Sequence, residues 1–176
     1  MKDVDRVIAE MAYGETGTRT LAVGVYRGFQ YTVLNVRGMH PCGYVNVSGY
    51  ERELAEEDDT GHDIFRYRWI DCHGGITYAR VGVWKFAGGY WLGWDYGHLG
   101  DYTVFPRGEG SFCGMPYFVK DVVYECKRVI DQIVERLRSR GIKLETADAI
   151  AAHNRVARAV RAAKEMWEEC RKEQER

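Results

Sequence analysis

The spacing of hydrophobic positions changes twice along the chain, dividing it into a helical start, a strand-rich middle and a helical end. Over residues 3–11, Val4, Val7, Ile8 and Met11 recur at helical spacing and Gly14 and Gly17 stop the pattern, so a short N-terminal helix is expected. From Thr20 onward β-branched and aromatic residues take over. Leu21, Val23, Val25 and Tyr26, the pair Arg27-Gly28, then Phe29, Tyr31, Val33, Leu34 and Val36 have the composition and turn chemistry of a hairpin. A third strand, Gly43 to Val47, is expected after a corner at His40-Pro41-Cys42. Between Ile64 and Ile70, Phe65, Tyr67 and Trp69 alternate with Arg66 and Arg68, a period of two that predicts a strand with one apolar and one basic face. Val81 to Phe86 and Tyr90 to Trp94 read as two more strands, joined through Ala87-Gly88-Gly89.

Helical spacing returns at Tyr117 to Arg138, where Val122, Val123, Cys126, Val129, Ile130, Ile133, Val134 and Leu137 trace an apolar stripe that ends before Gly141. Thr146 then caps a long last helix carrying Ile150, His153, Val156, Ala157, Val160, Ala163, Trp167 and Cys170 on one side. The order predicts an α+β fold: a mostly antiparallel sheet with a short N-terminal helix and two C-terminal helices packed on one side. A single domain over residues 1–176 is expected, with the N-terminal helix in 1–14, the sheet in 19–105 and the helical region in 117–176.

Charge narrows the partners. The chain carries 25 basic and 26 acidic residues, a formal net charge of -1, so no global field favours nucleic acid or an anionic membrane. Glu56-Glu57-Asp58-Asp59 reads as a solvated surface excursion. Arg155, Arg158 and Arg161 on the last helix form the concentrated basic surface and are the expected partner-binding residues. Nucleic acid, held by those arginines with Arg66 and Arg68, is the less favoured partner. No apolar run is long enough to span a bilayer, and Met1 to Arg6 lacks the apolar core of a signal peptide, so a cytoplasmic protein is expected. Five cysteines without a CxxC pair fit reduced thiols, and Cys113, with no activating base nearby in sequence, is a weak nucleophile candidate.

The residues that invite chemistry are concentrated in two glycine-rich stretches. Asp95-x-x-His98-x-x-Asp101 follows a strand, among Gly93, Gly97 and Gly100, and ligands spaced by three can converge on one side of such a turn. His73, beside Gly74-Gly75, ends an earlier segment. If the two approach, His73, Asp95, His98 and Asp101 offer two imidazoles and two carboxylates, a set suited to Zn²⁺, Mn²⁺ or Fe²⁺, with His40, Cys42 and Cys72 in reserve. Two other readings stay open. In one, His98 and Asp101 are a metal-free catalytic pair, His98 acting as general base with Asp95 or Asp101 orienting it; in the other, the carboxylates cap turns and the histidines are hydrogen-bonded core groups.

The pieces His40-Pro41-Cys42-Gly43-Tyr44-Val45, His73-Gly74-Gly75-Ile76-Thr77-Tyr78 and Gly93-Trp94-Asp95-Tyr96-Gly97-His98-Leu99-Gly100-Asp101 resemble a family of small proteins common in phage and prophage genomes. The likeness covers about the middle third of the chain, and Trp94-Asp95-Tyr96 departs from the family's Phe-Asp-Cys form. It implies a mobile-element origin and a host-cytosolic accessory protein that binds and blocks a host enzyme, such as a defence nuclease, in an anti-CRISPR-like role. The alternative is a metal-dependent hydrolase of a nucleotide or other phosphorylated compound.

Overall fold

The computed structural model describes residues 2–105 and 114–144. Helix α1 (Lys2–Glu10) leads into strands β1 (Arg19–Tyr26), β2 (Phe29–Val36) and β3 (His40–Asn46). A one-turn helix α2 (Glu51–Leu54) and a 3-10 segment (Asp63–Tyr67) precede β4 (Tyr78–Val83) and β5 (Phe86–Asp95), and helix α3 (Val119–Ser139) follows. The strands form one antiparallel sheet in the order β1-β2-β3-β5-β4, with α3 lying across β1, β2 and β3. This is the α+β architecture that the hydrophobic spacing implies. No described helix is long and apolar enough to cross a membrane.

The stripe on α3 is the inner wall of the core. Val122, Cys126, Val129, Ile130, Ile133, Val134 and Leu137 are fully buried and share one cluster with Val33, Val45, Leu92 and Trp94 of the sheet. Burial of this kind contributes about 1.5–3 kcal/mol for each large aliphatic side chain. The helix stops where expected: Gly141, at φ +70°, donates to Arg138 O (2.9 Å) and Ile142 N–H donates to Leu137 O (2.9 Å), so a left-handed glycine satisfies carbonyls the helix leaves open. Alternation along the strands sends Leu34, Cys42, Tyr44, Val83 and Trp91 to the other face, in a second buried cluster.

Register across the centre of the sheet is set by reciprocal glycine–aromatic pairs. Gly43 stands opposite Trp94, and Tyr44 opposite Gly93. A side-chain carbon on Gly43 would sit 2.5 Å from the Trp94 ring, and one on Gly93 would run into Tyr44. Each ring therefore lies flat over a bare backbone, one on each face, and sliding β3 against β5 by one residue would drive both rings into side chains.

Three features differ from the sequence reading. Residues 64–70 form no strand: the Asp63–Tyr67 segment is 3-10, with Tyr67 OH donating to Glu51 O (3.0 Å) and Trp69 Nε1–H to Leu54 O (2.9 Å), so the alternate aromatics reach back over α2 rather than into a sheet. The β4–β5 turn lies at Trp84-Lys85, between paired Val83 and Phe86, and Ala87-Gly88-Gly89 belongs to β5. His40-Pro41-Cys42 opens β3 instead of forming a corner before it. The expected last helix, with Arg155, Arg158 and Arg161, lies outside the described residues, as do Cys113 and Cys170.

Trp84 sits at φ +43°, a conformation that costs a bulky residue about 1–2 kcal/mol. Its ring also carries the Lys85 ammonium, 4.4 Å from the centroid, an exposed contact contributing about 0.5–1 kcal/mol. Trp84→Asn is therefore expected to leave unfolding free energy unchanged or to raise it by up to about 1 kcal/mol, read by urea denaturation. A strand position there would instead lose stability with Asn.

Candidate metal centre

Two turns meet beyond the C-terminal end of β5. In the first, Gly75 N–H closes on Cys72 O (3.0 Å), with Gly74 and Gly75 at φ +66° and +82°, and this turn presents His73. In the second, the chain leaves β5 at Asp95 and reverses through His98 to Asp101, whose N–H donates to His98 O (2.9 Å). Local hydrogen bonding of this sort is why short polar residues and glycines gather here.

Asp101 is the meeting point. Its Oδ2 accepts from His73 Nε2–H (2.8 Å) and from His98 N–H (2.9 Å), and its Oδ1 accepts from Tyr117 OH (2.9 Å). Burial alone would raise the carboxyl, yet the bonds from His73, His98 and Tyr117 outweigh it and hold Asp101 below its ordinary value. His98 Nδ1 lies 3.5 Å from Asp101 Oδ2 and 3.9 Å from Asp95 Oδ1. That nitrogen is buried and has no hydrogen-bond partner. Its ring rests on the backbone of Gly74, where any side-chain carbon would overlap it, so glycine is required both by φ and by contact.

One ligand atom from each of His73, His98 and Asp101 falls within 4.8 Å of the other two. Tetrahedral bonds of about 2.1 Å would put such atoms about 3.4 Å apart, and Asp101 Oδ2 stands 2.8 Å from His73 Nε2 and 3.5 Å from His98 Nδ1, on either side of that value. The group can hold a metal. Asp95 stays at its edge: Oδ2 accepts from Thr77 Oγ1–H (2.8 Å) and Oδ1 from Gly97 N–H (3.0 Å). The reserve residues do not join. His40 Nδ1 faces Pro41 O (3.3 Å) and Cys42 Sγ (3.5 Å), Cys42 belongs to the far-face cluster, and Cys72 belongs to the main core. Burial pushes both thiols up to about 12, away from the thiolate that zinc binding needs.

Three residues that the spacing did not single out hold the group in place. Glu125 of α3 accepts from His73 N–H (3.1 Å) and Arg128 Nη2 (3.1 Å) through Oε1, and from Trp94 Nε1 (2.9 Å) and Tyr96 OH through Oε2. Tyr96 stacks on the His73 ring, centroids 4.4 Å apart and planes 11° from parallel. Tyr117 packs against Tyr96, and burial together with its bond to Asp101 pushes its hydroxyl up to about 12, so it remains a donor at neutral pH. The available signal for Glu125 was a carboxylate bordering the apolar stripe, one residue before Cys126. For Tyr117 there was none.

The depressed Asp101 carboxyl sets an acid limit. Its folded value lies below the unfolded one of about 3.9, so its contribution is complete above that pH and is lost as pH falls through the folded value. In chelator-treated protein, the unfolding free energy of wild type is expected to fall more steeply below about pH 4 than that of Asp101→Asn, which has no such proton to take up. Parallel profiles in denaturant titrations from pH 5 to pH 3 would remove Asp101 from the network.

No family model, curated protein or solved structure matches this chain, so the reading of the site rests on its own geometry.

Proposed function

We propose that the protein is a metal-dependent hydrolase whose ion is held by His73, His98 and Asp101. The observation that carries the proposal is His98 Nδ1: a buried, unpartnered ring nitrogen 3.5 and 3.9 Å from two carboxylate oxygens, pinned there by Gly74. Leaving such an atom unsatisfied costs about 1–3 kcal/mol, which an ion shared with Asp101 would recover. Two imidazoles and one carboxylate suit Zn²⁺, Mn²⁺ or Fe²⁺. Such an ion supplies Lewis acidity toward a carbonyl or phosphoryl oxygen. The protein's own groups do the rest. Tyr117 OH and the His98 N–H fix Asp101, Tyr96 and Glu125 fix the plane and height of His73, and Asp95, outside the triad but 3.9 Å from His98, accepts the proton of the attacking water.

Protein dialysed against zinc is expected to retain about one equivalent by elemental analysis, with His73→Ala and Asp101→Asn retaining none and losing hydrolysis of a panel of aryl esters and phosphates. Tyr117→Phe should weaken zinc binding by about 10–100-fold while the fold persists. Wild-type protein that holds no ion at micromolar zinc would end this reading.

A second reading is the phage-type accessory protein that inhibits a host defence enzyme by binding it. It is favoured by apolar side chains exposed at one corner: Leu99 is fully exposed and Met115 three-quarters exposed, on segments brought together where Gly114 packs against the 100–102 backbone. Here the metal group is structural. Inhibition of a purified nuclease would survive chelation at temperatures where the fold holds, and Leu99→Asp would abolish it; loss of inhibition with the metal alone would argue against it.

A further inference from the structure

A cleft of about 310 Å³ opens beside the metal group, lined by Met39, His40, Gly97, His98, Leu99, Thr103 and Phe105. Larger depressions occur among the described residues, at the acidic loop of residues 57–66 and on the outer side of α3, but neither includes a residue of the triad. This one does, because His98 forms part of its wall. Met39, Leu99 and Phe105 supply apolar surface, and Thr103 and two imidazoles supply the polar edge. At about 30 Å³ for each heavy atom the space takes roughly ten, which is the size of a small acyl compound.

The electrostatics select among such compounds. Asp101 accepts three hydrogen bonds and Asp95 two, and these two carboxylates formally balance a divalent ion held by the triad. The loaded corner therefore has no surplus positive charge for a phosphate dianion. The described side chains that line the cleft add neither guanidinium nor ammonium.

We propose that this cleft is the substrate pocket of the hydrolase and that it takes a small uncharged carbonyl compound, an ester or amide with a short apolar or aromatic acyl group, in place of a phosphorylated one. The proposal rests on the metal-hydrolase reading for its chemistry, while the pocket itself can be tested by binding. Gly97 provides the lever. A side-chain carbon there would stand 3.0–3.2 Å from His40 Cδ2, His40 Nε2 and Asp95 Oδ1, at a backbone conformation that alanine accepts, so Gly97→Ala narrows the cleft without replacing a ligand.

The probes are benzamide, a neutral carbonyl compound with an aromatic tail, and phenyl phosphate. Each is titrated into the zinc-loaded full chain and followed by amide NMR shifts, with zinc affinity measured separately. Benzamide is expected to shift the amides of Gly97, Leu99, Thr103 and Phe105 and to bind at least tenfold more tightly than phenyl phosphate. Gly97→Ala should weaken it by at least tenfold at unchanged zinc affinity. Leu99→Ser, at a fully exposed position that the fold does not depend on, should weaken it by a smaller factor. Phenyl phosphate binding as tightly, shifts confined to other residues, or a Gly97→Ala variant that binds like wild type would each overturn the pocket. A protein that takes up no zinc yet shows the expected shifts and Gly97→Ala loss would refute the hydrolase reading and uphold the pocket.

Discussion

The carboxylate of Glu125 joins the three parts of the molecule on which everything else rests. From the inner edge of α3 it receives the indole of Trp94 in the sheet, the phenol of Tyr96 in the loop after β5, and the backbone N–H of His73. Its helix neighbours extend the same grip. Arg128 pairs with Asp71 (2.6 Å), and Gln132 holds the Asp71 backbone from both sides, accepting its N–H and donating to its C=O, each at 2.8 Å. A helix side-chain amide thus gives residue 71 the two hydrogen bonds that a neighbouring strand would give. Among the described residues the segment carrying His73 pairs with no strand, and α3 substitutes for one.

This arrangement explains how a polar group persists beside a closely packed core. Asp101 is buried but accepts three hydrogen bonds, so its charge is compensated by donors that are themselves fixed: one from a ring stacked on Tyr96, one from the backbone of its own turn, one from Tyr117. The imperfect member is His98, whose Nδ1 is shielded from water without being bonded. A deficit beside a carboxylate whose own bonds are met localises where an additional positive centre would be accommodated.

The main architecture was legible in the sequence because its signals are local. The stripe on α3 gave the helix and its buried face, Gly141 gave its end, and Arg27-Gly28 gave the β1–β2 turn, where both residues adopt positive φ. The alternating run from Phe65 to Trp69 misled because a period of two describes side-chain identity, not hydrogen bonding, and here the neighbours of Tyr67 and Trp69 are backbone carbonyls of residues 51 and 54. The site divides in the same way. His98 and Asp101 were evident from their shared glycine-rich turn, and His73 from a second one. Asp95, equally prominent by spacing, is held by Thr77 and Gly97 at the edge of the group, outside the triad. Glu125 and Tyr117 come from farther along the chain, and no short-range pattern marks a partner that only the folded helix brings near.

Both outer pairings of the sheet are irregular where the inner ones are not. The β1–β2 pairing shifts between Thr20 and Ala22, and the β4–β5 pairing between Val81 and Val83, whereas the β2–β3 and β3–β5 pairings run without interruption. Those outer strands also carry exposed valines, at positions 23, 25 and 81. A straight, apolar margin would be a template for another chain to add to, and a kinked one presents donors and acceptors out of step with any incoming strand. The irregularities therefore guard a sheet rich in aromatic and β-branched residues against growing into a filament, separating the demands of colloidal stability at its margins from those of packing at its centre.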